Sequence, residues 1–369
     1  MSTLNIAVVA AERGGFVRAA PLLAELQARA ECRPQFVFAG ADYVPYAASE
    51  LFRDLRLPYA DAVIGTSEGT PAERIARTMA VCERLASGTD ADAIVLVGQS
   101  PTILGCAVAC ARSPLPVAHA DAGLRLPGIA GRTSIAALID RAASLLPAAS
   151  EQAHDRLLDE GRGEDTVVLA GSLVGDAIAA CLEPARANGA AERAGLEPKD
   201  FALAVVESPA IIEHAANLRK LVDLLARVQE ELPVAIVVHR RLAQRLEEWE
   251  LAQIAGELPG LSNVEPRGYV EFLSLLDAAR LVLTDVGGVQ DEATFLGVPV
   301  LTLADATDRA ATVDCGNNTL VGLDAFAAMQ AVVAVVTNGY PRAVRPAWWD
   351  GAAAARVADA LLQRAGKRS

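Results

Sequence analysis

Short apolar runs alternate with segments of helical periodicity along the first half of the chain. The runs are rich in Val, Ile, Leu and Ala, which is typical of buried strands, and the segments between them place apolar residues at helical spacing. The predicted strands are Asn5–Ala10, Pro34–Ala39, Ala93–Val97, Val117–Ala120 and Thr166–Ala170. The predicted helices are Phe16–Arg29, a segment after Pro101, and Ser134–Leu146. This order predicts a parallel sheet covered by helices.

The same alternation starts again in the second half of the chain. Its predicted strands are Phe201–Val206, Val234–Val238, Leu281–Thr284, Val298–Leu303 and Thr319–Val321. Its predicted helices are Asn217–Glu231, Arg241–Ile254 and a segment after Gly288. The pattern therefore predicts an α/β protein with two Rossmann-like, doubly wound parallel sheets.

Two domains also follow from length, because 369 residues are too many for one comfortable core. We predict an N-terminal domain over residues 1–182 and a C-terminal nucleotide-binding domain over residues 199–349. A segment rich in Pro, Gly and Ala, residues 183–198, is interpreted as the linker. Asp350 is a predicted N-cap for an Ala-rich helix over 350–369, which we expect to pack back towards the N-terminal domain.

The stretch Leu281–Glu292, LVLTDVGGVQDE, predicts an anion-binding turn. A buried strand ends at Asp285, the Gly287-Gly288 pair breaks it, and a helix is expected to open with Gln290, Asp291 and Glu292 in its first turn. Backbone N–H groups and the helix dipole at such a turn suit a phosphate or diphosphate. The acidic residues also have a plain structural interpretation, since they favour the dipole without any ligand.

Polar loops follow the predicted strands in both halves. Ligands of doubly wound sheets bind at the carboxyl ends of the strands, so two sheets in series predict a cleft between domains that these loops face. The loops are Glu12-Arg13, Gln99-Ser100, Asp121–Arg125, Glu207-Ser208, Asp285–Gly288 and Thr307–Arg309.

Composition and charge exclude several classes of protein. The formal net charge of −13 disfavours nucleic acid and anionic membrane surfaces as partners. The N-terminus lacks the basic segment of a signal peptide, and the apolar region Ile94–Ala111 is interrupted by polar residues, so a cytoplasmic protein is expected. Aromatic residues make up only 4% against 52% hydrophobic residues, which predicts aliphatic cores.

No cofactor or metal is predicted. None of the six cysteines forms a CxxC pair, which favours buried free thiols in a reducing compartment. The first strand-to-helix turn reads AAERGG and lacks the glycine spacing of a dinucleotide site, so a nicotinamide oxidoreductase is disfavoured. A Walker A loop is absent as well.

An ordered series of motifs resembles the non-hydrolysing UDP-N-acetylglucosamine 2-epimerases, a family with the GT-B fold. The resemblance covers nearly the whole chain. Its motifs are Arg13…Arg18…Pro21-Leu22, VLVGQS at Val95–Ser100, HADAGLR at His119–Arg125, YVEFLSLL at Tyr269–Leu276, TDVGGVQDEATFLGVPVL at Thr284–Leu301, TDR at Thr307–Arg309, GNNTLVG at Gly316–Gly322 and DGAAAARV at Asp350–Val357.

The resemblance implies a mechanism and a setting. A base removes the proton at C2 of the sugar, UDP leaves from C1, and a 2-acetamidoglucal intermediate forms. Reprotonation on the other face and return of UDP complete the epimerisation, which needs carboxylates for proton transfer and cations for the diphosphate. The family also implies a homodimer, a nucleotide-sugar ligand and a role in polysaccharide biosynthesis.

The nucleotide side of the family pattern is kept. The resemblance implies that Phe272 contacts the uracil and that Glu292 accepts hydrogen bonds from the ribose. It further implies that Gly287, Gly288 and Arg309 hold the diphosphate. Two more basic residues, Arg13 and Arg18 (a lysine in the family), also match the pattern.

The catalytic side departs from the family. Gln99 replaces an aspartate, and a neutral amide cannot act as a base. Asp121 replaces a glutamate and is the candidate catalytic residue, while Glu207 replaces a histidine and Val286 a serine. The family's glutamates near Leu126–Asp140 are missing, and Arg132 and Thr133 stand nearest to them.

Several residues have competing structural interpretations. Asp121 caps the next turn or acts in catalysis, with equal weight. Phe272 is either helix core or a base-stacking ring, and His119 is expected to pack in the core. Glu207 would repel a diphosphate unless it pairs with an arginine.

Three functions agree with the family motifs together with the replacements at the catalytic positions. The first is an active UDP-sugar 2-epimerase with Asp121 as the surviving carboxylate. The second is a catalytically impaired nucleotide-sugar-binding or regulatory homologue, which would partner an active relative in a hetero-oligomer. The third is a GT-B glycosyltransferase or UDP-sugar hydrolase. The proton-transfer residues distinguish the three.

Overall fold

The computed structural model describes residues 3–40, 43–64, 70–88, 91–111, 114–128, 134–339 and 344–366. The chain divides into two compact units. Unit 1 comprises Met1–Ala180 and Ala347–Ser369, and unit 2 comprises Cys181–Pro346.

Unit 1 contains a five-stranded parallel sheet in the order β3-β2-β1-β4-β5. Its strands are β1 (Leu4–Ala10), β2 (Cys32–Ala39), β3 (Ala62–Ile64), β4 (Ala93–Val97) and β5 (Val117–Ala120). Two further parallel strands, β6 (Leu146–Ala148) and β7 (Val167–Leu169), continue past β5 through the bridge between Ala118 and Leu145. The helices are α1 (Glu12–Ala28), α2 (Tyr43–Ala47), α3 (Glu50–Asp54), α4 (Pro71–Gly88), α5 (Pro101–Cys110), α6 (Ile135–Ala142), α7 (Glu151–Asp159) and α8 (Leu173–Arg186).

Unit 2 contains a six-stranded parallel sheet in the order β10-β9-β8-β11-β12-β13. Its strands are β8 (Ala202–Val205), β9 (Val234–Val237), β10 (Leu261–Val264), β11 (Leu281–Thr284), β12 (Val300–Thr302) and β13 (Asn318–Leu320). Its helices are α9 (Ala190–Arg193), α10 (Pro209–Ile212), α11 (Ala215–Glu231), α12 (Arg240–Glu248), α13 (Ala252–Gly256), α14 (Tyr269–Ala278), α15 (Gly287–Leu296), α16 (Ala310–Asp314) and α17 (Ala325–Asn338). The predicted alternation of strands and helices is thus confirmed in both halves.

The C-terminal helix α18 (Ala353–Gly366) belongs to unit 1. The Asp176 carboxylate accepts hydrogen bonds from the N–H groups of Ala353 and Ala354, at 3.1 and 2.9 Å, and so caps the helix. Arg29, the residue that follows α1, pairs with Asp359 of α18 at 2.6 Å. These contacts fix the helix against the first part of the chain.

The expected aliphatic cores are present, but unit 1 also concentrates much of the small aromatic content in one place. The Phe16 and Phe38 rings stack with centroids 5.1 Å apart, and Phe52 packs edge-on against Phe16 at 5.4 Å. Three short strands, β3, β6 and β10, escaped the sequence pattern. The first two have only three residues each, and β10 carries the polar Ser262 and Asn263, so none of the three gives a clear apolar run.

Several boundaries differ from the predictions, and the predicted helix Arg241–Ile254 is divided into α12 and α13. Helix α1 begins at Glu12 rather than Phe16, so Gly14 and Gly15 are helical instead of forming a loop. The predicted helix Ser134–Leu146 ends at Ala142, because Leu146 starts β6. The predicted linker 183–198 contains the end of α8 and all of α9.

None of the six cysteines, all of them in the described ranges, forms a disulfide, and five of them are buried. No cluster of metal-ligating side chains occurs among the residues that the structure describes. Within the same residues, no helix is both long and apolar enough to cross a membrane.

Candidate functional site

In unit 1, Asp121 lies directly after β5, at the carboxyl end of that strand. Its backbone has a φ of 56°, a left-handed conformation that aspartate tolerates better than most non-glycine residues. The side chain is 5% exposed and accepts from Arg18 Nε at 2.6 Å. Arg18 is oriented by a second bond, from its Nη1 to the Gly14 carbonyl at 2.9 Å.

The other carboxylate oxygen of Asp121, Oδ1, is buried and has no hydrogen-bond partner among the described residues. The capping alternative is not supported, because Oδ2 accepts from Arg18, Oδ1 has no partner among the described residues, and the next two N–H groups bond elsewhere. Ala122 donates to the Pro147 carbonyl and Gly123 donates to Asp140. Asp121 therefore presents one oxygen held by a cation and one oxygen still able to accept a proton.

Behind this loop is a buried network of charged side chains that sequence reasoning missed. His119 is fully buried, as expected, but its Nδ1 lies 2.5 Å from Asp140 Oδ1 and its Nε2 lies 3.1 Å from the Gly98 carbonyl. Arg125 Nη1 lies 2.6 Å from Asp140 Oδ2. Burial acts to raise the pKa of Asp140, but the charges of His119 and Arg125, with their hydrogen bonds, hold that pKa below its usual value.

The lowered pKa of Asp140 makes the folded state more stable at neutral pH than in acid. Its contribution is fully present above the carboxyl's unfolded pKa and is lost as the pH falls through the lower folded value. The network therefore holds the Asp121 loop at neutral pH.

Gly123 is required by this loop. Its φ is +85°, and a Cβ there would lie 2.4 Å from the Ala153 carbonyl oxygen. Gly123→Ala is expected to cost about 3 kcal/mol of unfolding free energy, from left-handed strain of about 1–2 kcal/mol plus a backbone clash of about 1–3 kcal/mol. Urea unfolding measures the loss.

Gly161→Ala is the matched control, because Gly161 has the same φ of +85° but nothing within 4 Å of its Cβ position. It should lose only the strain component. Equal losses in the two variants would show that the clash with Ala153 is relieved at no cost.

The remaining predicted residues of unit 1 lie on neighbouring elements. Gln99 follows β4, the strand that pairs with β5, and is half-buried. Arg13 is half-buried in the first turn of α1. Arg132 and Thr133 lie outside the described residues.

In unit 2, the glycine pair opens α15 instead of breaking the chain before it. The helix begins at Gly287, so Asp291 and Glu292 lie in its second turn, and the predicted first-turn position is wrong for both. Neither glycine has a positive φ. A Cβ on Gly287 would lie 2.9 Å from Arg309 Nε, so the glycine is needed for the close approach of the guanidinium.

Arg309 is 8% exposed and lies against this helix start. Its Nε is 3.1 Å from Asp291 Oδ2, and its Nη1 is 3.8 Å from Asp308 Oδ2. The backbone is held too, since the Arg309 N–H donates to Thr307 Oγ1 at 3.1 Å and its carbonyl accepts from Thr312 Oγ1 at 2.7 Å. The guanidinium is thus preorganised beside free helical N–H groups, an arrangement suited to an anion.

A buried amide and hydroxyl network supports Arg309 from behind. Gln290 Oε1 accepts from Thr307 Oγ1 at 2.6 Å and from Asn318 Nδ2 at 3.2 Å. Asn318 also donates to Thr312 Oγ1 at 2.9 Å and accepts from Thr302 Oγ1 at 2.6 Å. The GNNTLVG motif was the available signal, since amides in an otherwise apolar strand region need buried partners.

The side chain of Asp285, which follows β11, holds the loop that follows β8. It accepts from the backbone N–H groups of Glu207 and Ser208 at 2.9 and 3.0 Å. Burial raises the pKa of Asp285, and the charge of Glu207 adds to the shift, although the accepted hydrogen bonds oppose it. Glu207 itself is exposed and forms no ion pair within the described ranges.

The other predicted residues of unit 2 are mostly buried. Phe272 is 4% exposed in α14, and Glu292 is 2% exposed in α15. Val286 is the N-cap residue of α15 and supplies no side-chain cap. A hydroxyl at this position could accept from the helix N–H groups, which valine leaves open.

A family model described as UDP-N-acetylglucosamine 2-epimerase matches residues 24–362. The chain belongs to the UDP-N-acetylglucosamine 2-epimerase family. The resemblance inferred from the motifs is therefore confirmed.

Two similar proteins agree with this assignment. The UDP-N-acetylglucosamine 2-epimerase of Methanocaldococcus jannaschii is 28% identical over 329 residues, covering 86% of this chain and 88% of the relative. The UDP-2,3-diacetamido-2,3-dideoxy-D-glucuronate 2-epimerase of Pseudomonas aeruginosa is 26% identical over 324 residues, covering 86% and 88%.

A solved structure extends the likeness to the fold. The M. jannaschii UDP-GlcNAc 2-epimerase in complex with UDP-GlcNAc and UDP superimposes with a TM-score of 0.86 and 26% identity, covering 98% of this chain and 100% of that chain. The predicted fold class, GT-B with two Rossmann-like parallel-sheet domains, is confirmed. Neither an impaired homologue nor a glycosyltransferase or hydrolase is better supported than a member of this epimerase family.

Proposed function

We propose that this protein is a nucleotide-sugar 2-epimerase acting on UDP-GlcNAc or a closely related UDP-sugar, with Asp121 as the proton-transfer carboxylate. The observation that carries the proposal is the state of Asp121. It is a buried carboxylate at a strand end, with one oxygen held by Arg18 at 2.6 Å and the other without a partner in the described part of the chain. A general base needs such an available, oriented oxygen.

The proposed chemistry is elimination followed by addition. Asp121 takes the proton from C2, the C1–O bond to UDP breaks with its electron pair leaving on UDP, and a 2-acetamidoglucal forms. Return of a proton to the other face of C2 and of UDP to C1 gives the epimer. Arg18 keeps Asp121 oriented throughout.

Unit 2 supplies the groups proposed to bind the nucleotide. Arg309 and the N-terminal N–H groups of α15 would stabilise the diphosphate, whose negative charge grows as the C1–O bond breaks. Gly287 leaves the space that the guanidinium needs. Glu292 and Phe272 are assigned to the ribose and the uracil.

The family's catalytic positions that are replaced in this chain leave fewer side chains able to transfer a proton. Gln99 can hydrogen-bond a sugar but cannot exchange a proton at neutral pH, so Asp121 carries the larger share of the acid–base work. Glu207 is exposed, and its backbone rather than its side chain is held by Asp285. We further propose that the protein is cytoplasmic and forms a homodimer.

Product formation tests the function. Purified protein is incubated with UDP-GlcNAc and, in parallel, with UDP-2,3-diacetamido-2,3-dideoxy-D-glucuronate, and anomeric signals are followed by ¹H NMR. The expected result is the C2 epimer of at least one of them at equilibrium. Binding of UDP without any epimer would overturn the enzyme assignment in favour of a binding homologue, and free sugar would indicate hydrolysis.

A further inference from the structure

Unit 1 contains a polar cavity of about 840 Å³ whose lining does not include Asp121. Four arginines contribute to its wall together with acidic residues of α6 and α7. The charged lining is Arg125, Asp140, Arg141, Arg156, Asp159, Glu160 and Arg162. We propose that this cavity binds a small phosphorylated anion, a ligand site independent of the proposed epimerase reaction.

The charges of the wall are not all matched. Arg125 is neutralised internally, since it lies 2.6 Å from Asp140 and 2.9 Å from Glu160. Arg156 and Arg162 instead donate to neutral carbonyls, those of Gly123 at 3.2 Å and Ala143 at 2.7 Å. Within the described ranges neither of these two guanidiniums has a carboxylate partner, and the four arginines and three acids of the wall leave one net positive charge.

A buried donor points to a missing acceptor. Arg162 Nε is buried and has no hydrogen-bond partner among the residues described. A buried donor left unsatisfied is destabilising, and an acceptor bound in the cavity would relieve that cost. Nη2 of the same guanidinium already donates to the Ala143 carbonyl, so the side chain is held in place while its Nε still lacks an acceptor.

Phosphate is the chemistry that this wall fits. Guanidinium forks match phosphoryl oxygens, and charge-assisted bonds to them are about twice as strong as neutral ones. A volume of about 840 Å³ lies within the usual range of small-molecule sites. Two carboxylates of the wall, Asp140 and Glu160, are already paired with Arg125. The remaining acidic side chain that would lie near the ligand is Asp159, which is exposed.

Arg162 is the residue to change, because Arg156 also holds the Gly123 carbonyl in the Asp121 loop. Inorganic phosphate and pyrophosphate are titrated by calorimetry, at fixed ionic strength, into wild type, Arg162→Gln and Arg162→Lys. The matched control is Arg33→Gln, an exposed arginine of unit 1 outside the cavity. UDP affinity is measured in all four proteins.

The expected result is binding by wild type and Arg33→Gln, and binding about 10- to 100-fold weaker in Arg162→Gln. Arg162→Lys should fall between them, and UDP affinity should not change. The proposal is overturned if wild type binds neither anion, or if both Arg162 variants bind like wild type. It is also overturned if Arg33→Gln loses as much affinity, which would mean only diffuse surface charge.

Discussion

Asp121→Asn is expected to slow epimerisation by about 100- to 10,000-fold while the fold is kept. Asparagine tolerates the left-handed φ of 56° and its side-chain oxygen can still accept from Arg18, so the loop should be undisturbed. The amide cannot take a proton from carbon, and the catalytic step is lost. Initial rates of epimer formation measure the effect.

The control for this prediction is another buried carboxylate of unit 1. Asp176 caps α18 through two backbone N–H groups, and burial, with a contribution from the charge of Asp121, raises its pKa. Asp176→Asn should weaken the cap and lower the unfolding free energy without a comparable rate loss. A rate for Asp121→Asn within about threefold of wild type would contradict the assignment.

Arg309→Ala is expected to have two separable effects. UDP binding should weaken by about 1–3 kcal/mol, because a charge-assisted contact to the diphosphate is lost. The unfolding free energy should fall by about 3–5 kcal/mol, because Asp291, 4% exposed, is left as a buried charge without its cation. Calorimetry with UDP and urea unfolding measure the two quantities.

The double variant Asp291→Asn/Arg309→Ala distinguishes the roles. Removing the buried negative charge should recover most of the lost stability, whereas the UDP affinity should stay low. If affinity returns with stability, Arg309 only supports the structure of the α15 start. If Arg309→Ala binds UDP like wild type, the proposed diphosphate site is wrong.

The strand and helix that carry the unit 2 part of the candidate site could be predicted from the local order of apolar, polar and glycine residues. The stretch Leu281–Thr284 is β11, as predicted, because four consecutive buried apolar or β-branched residues give an unambiguous signal. The start of α15 was predicted too late in the sequence, by less than one helical turn. Glycines usually mark a break in the chain, but Gly287 is helical here and its missing Cβ makes room for Arg309, which follows 22 residues later and cannot be seen locally.

The partners of the charged residues could not be predicted for the same reason. Arg18 and Asp121 are separated by 103 residues, and His119 and Asp140 by 21. Each residue alone fits a solvated charge, a cap or core packing. Tertiary folding brings them together, and periodicity carries no information on such pairs. The family resemblance identified Asp121 as a position, but not the arginine that orients it.

Solvent exchange at C2 tests the proposed role of Asp121 most directly. The protein is incubated with UDP-GlcNAc in D₂O, and the C2 proton is followed by ¹H NMR alongside the Asp121→Asn variant. Deuterium is expected at C2 with the wild-type protein, and exchange is expected to be about 100-fold slower or more with the variant. No deuterium uptake by a wild-type protein that still binds UDP would contradict it.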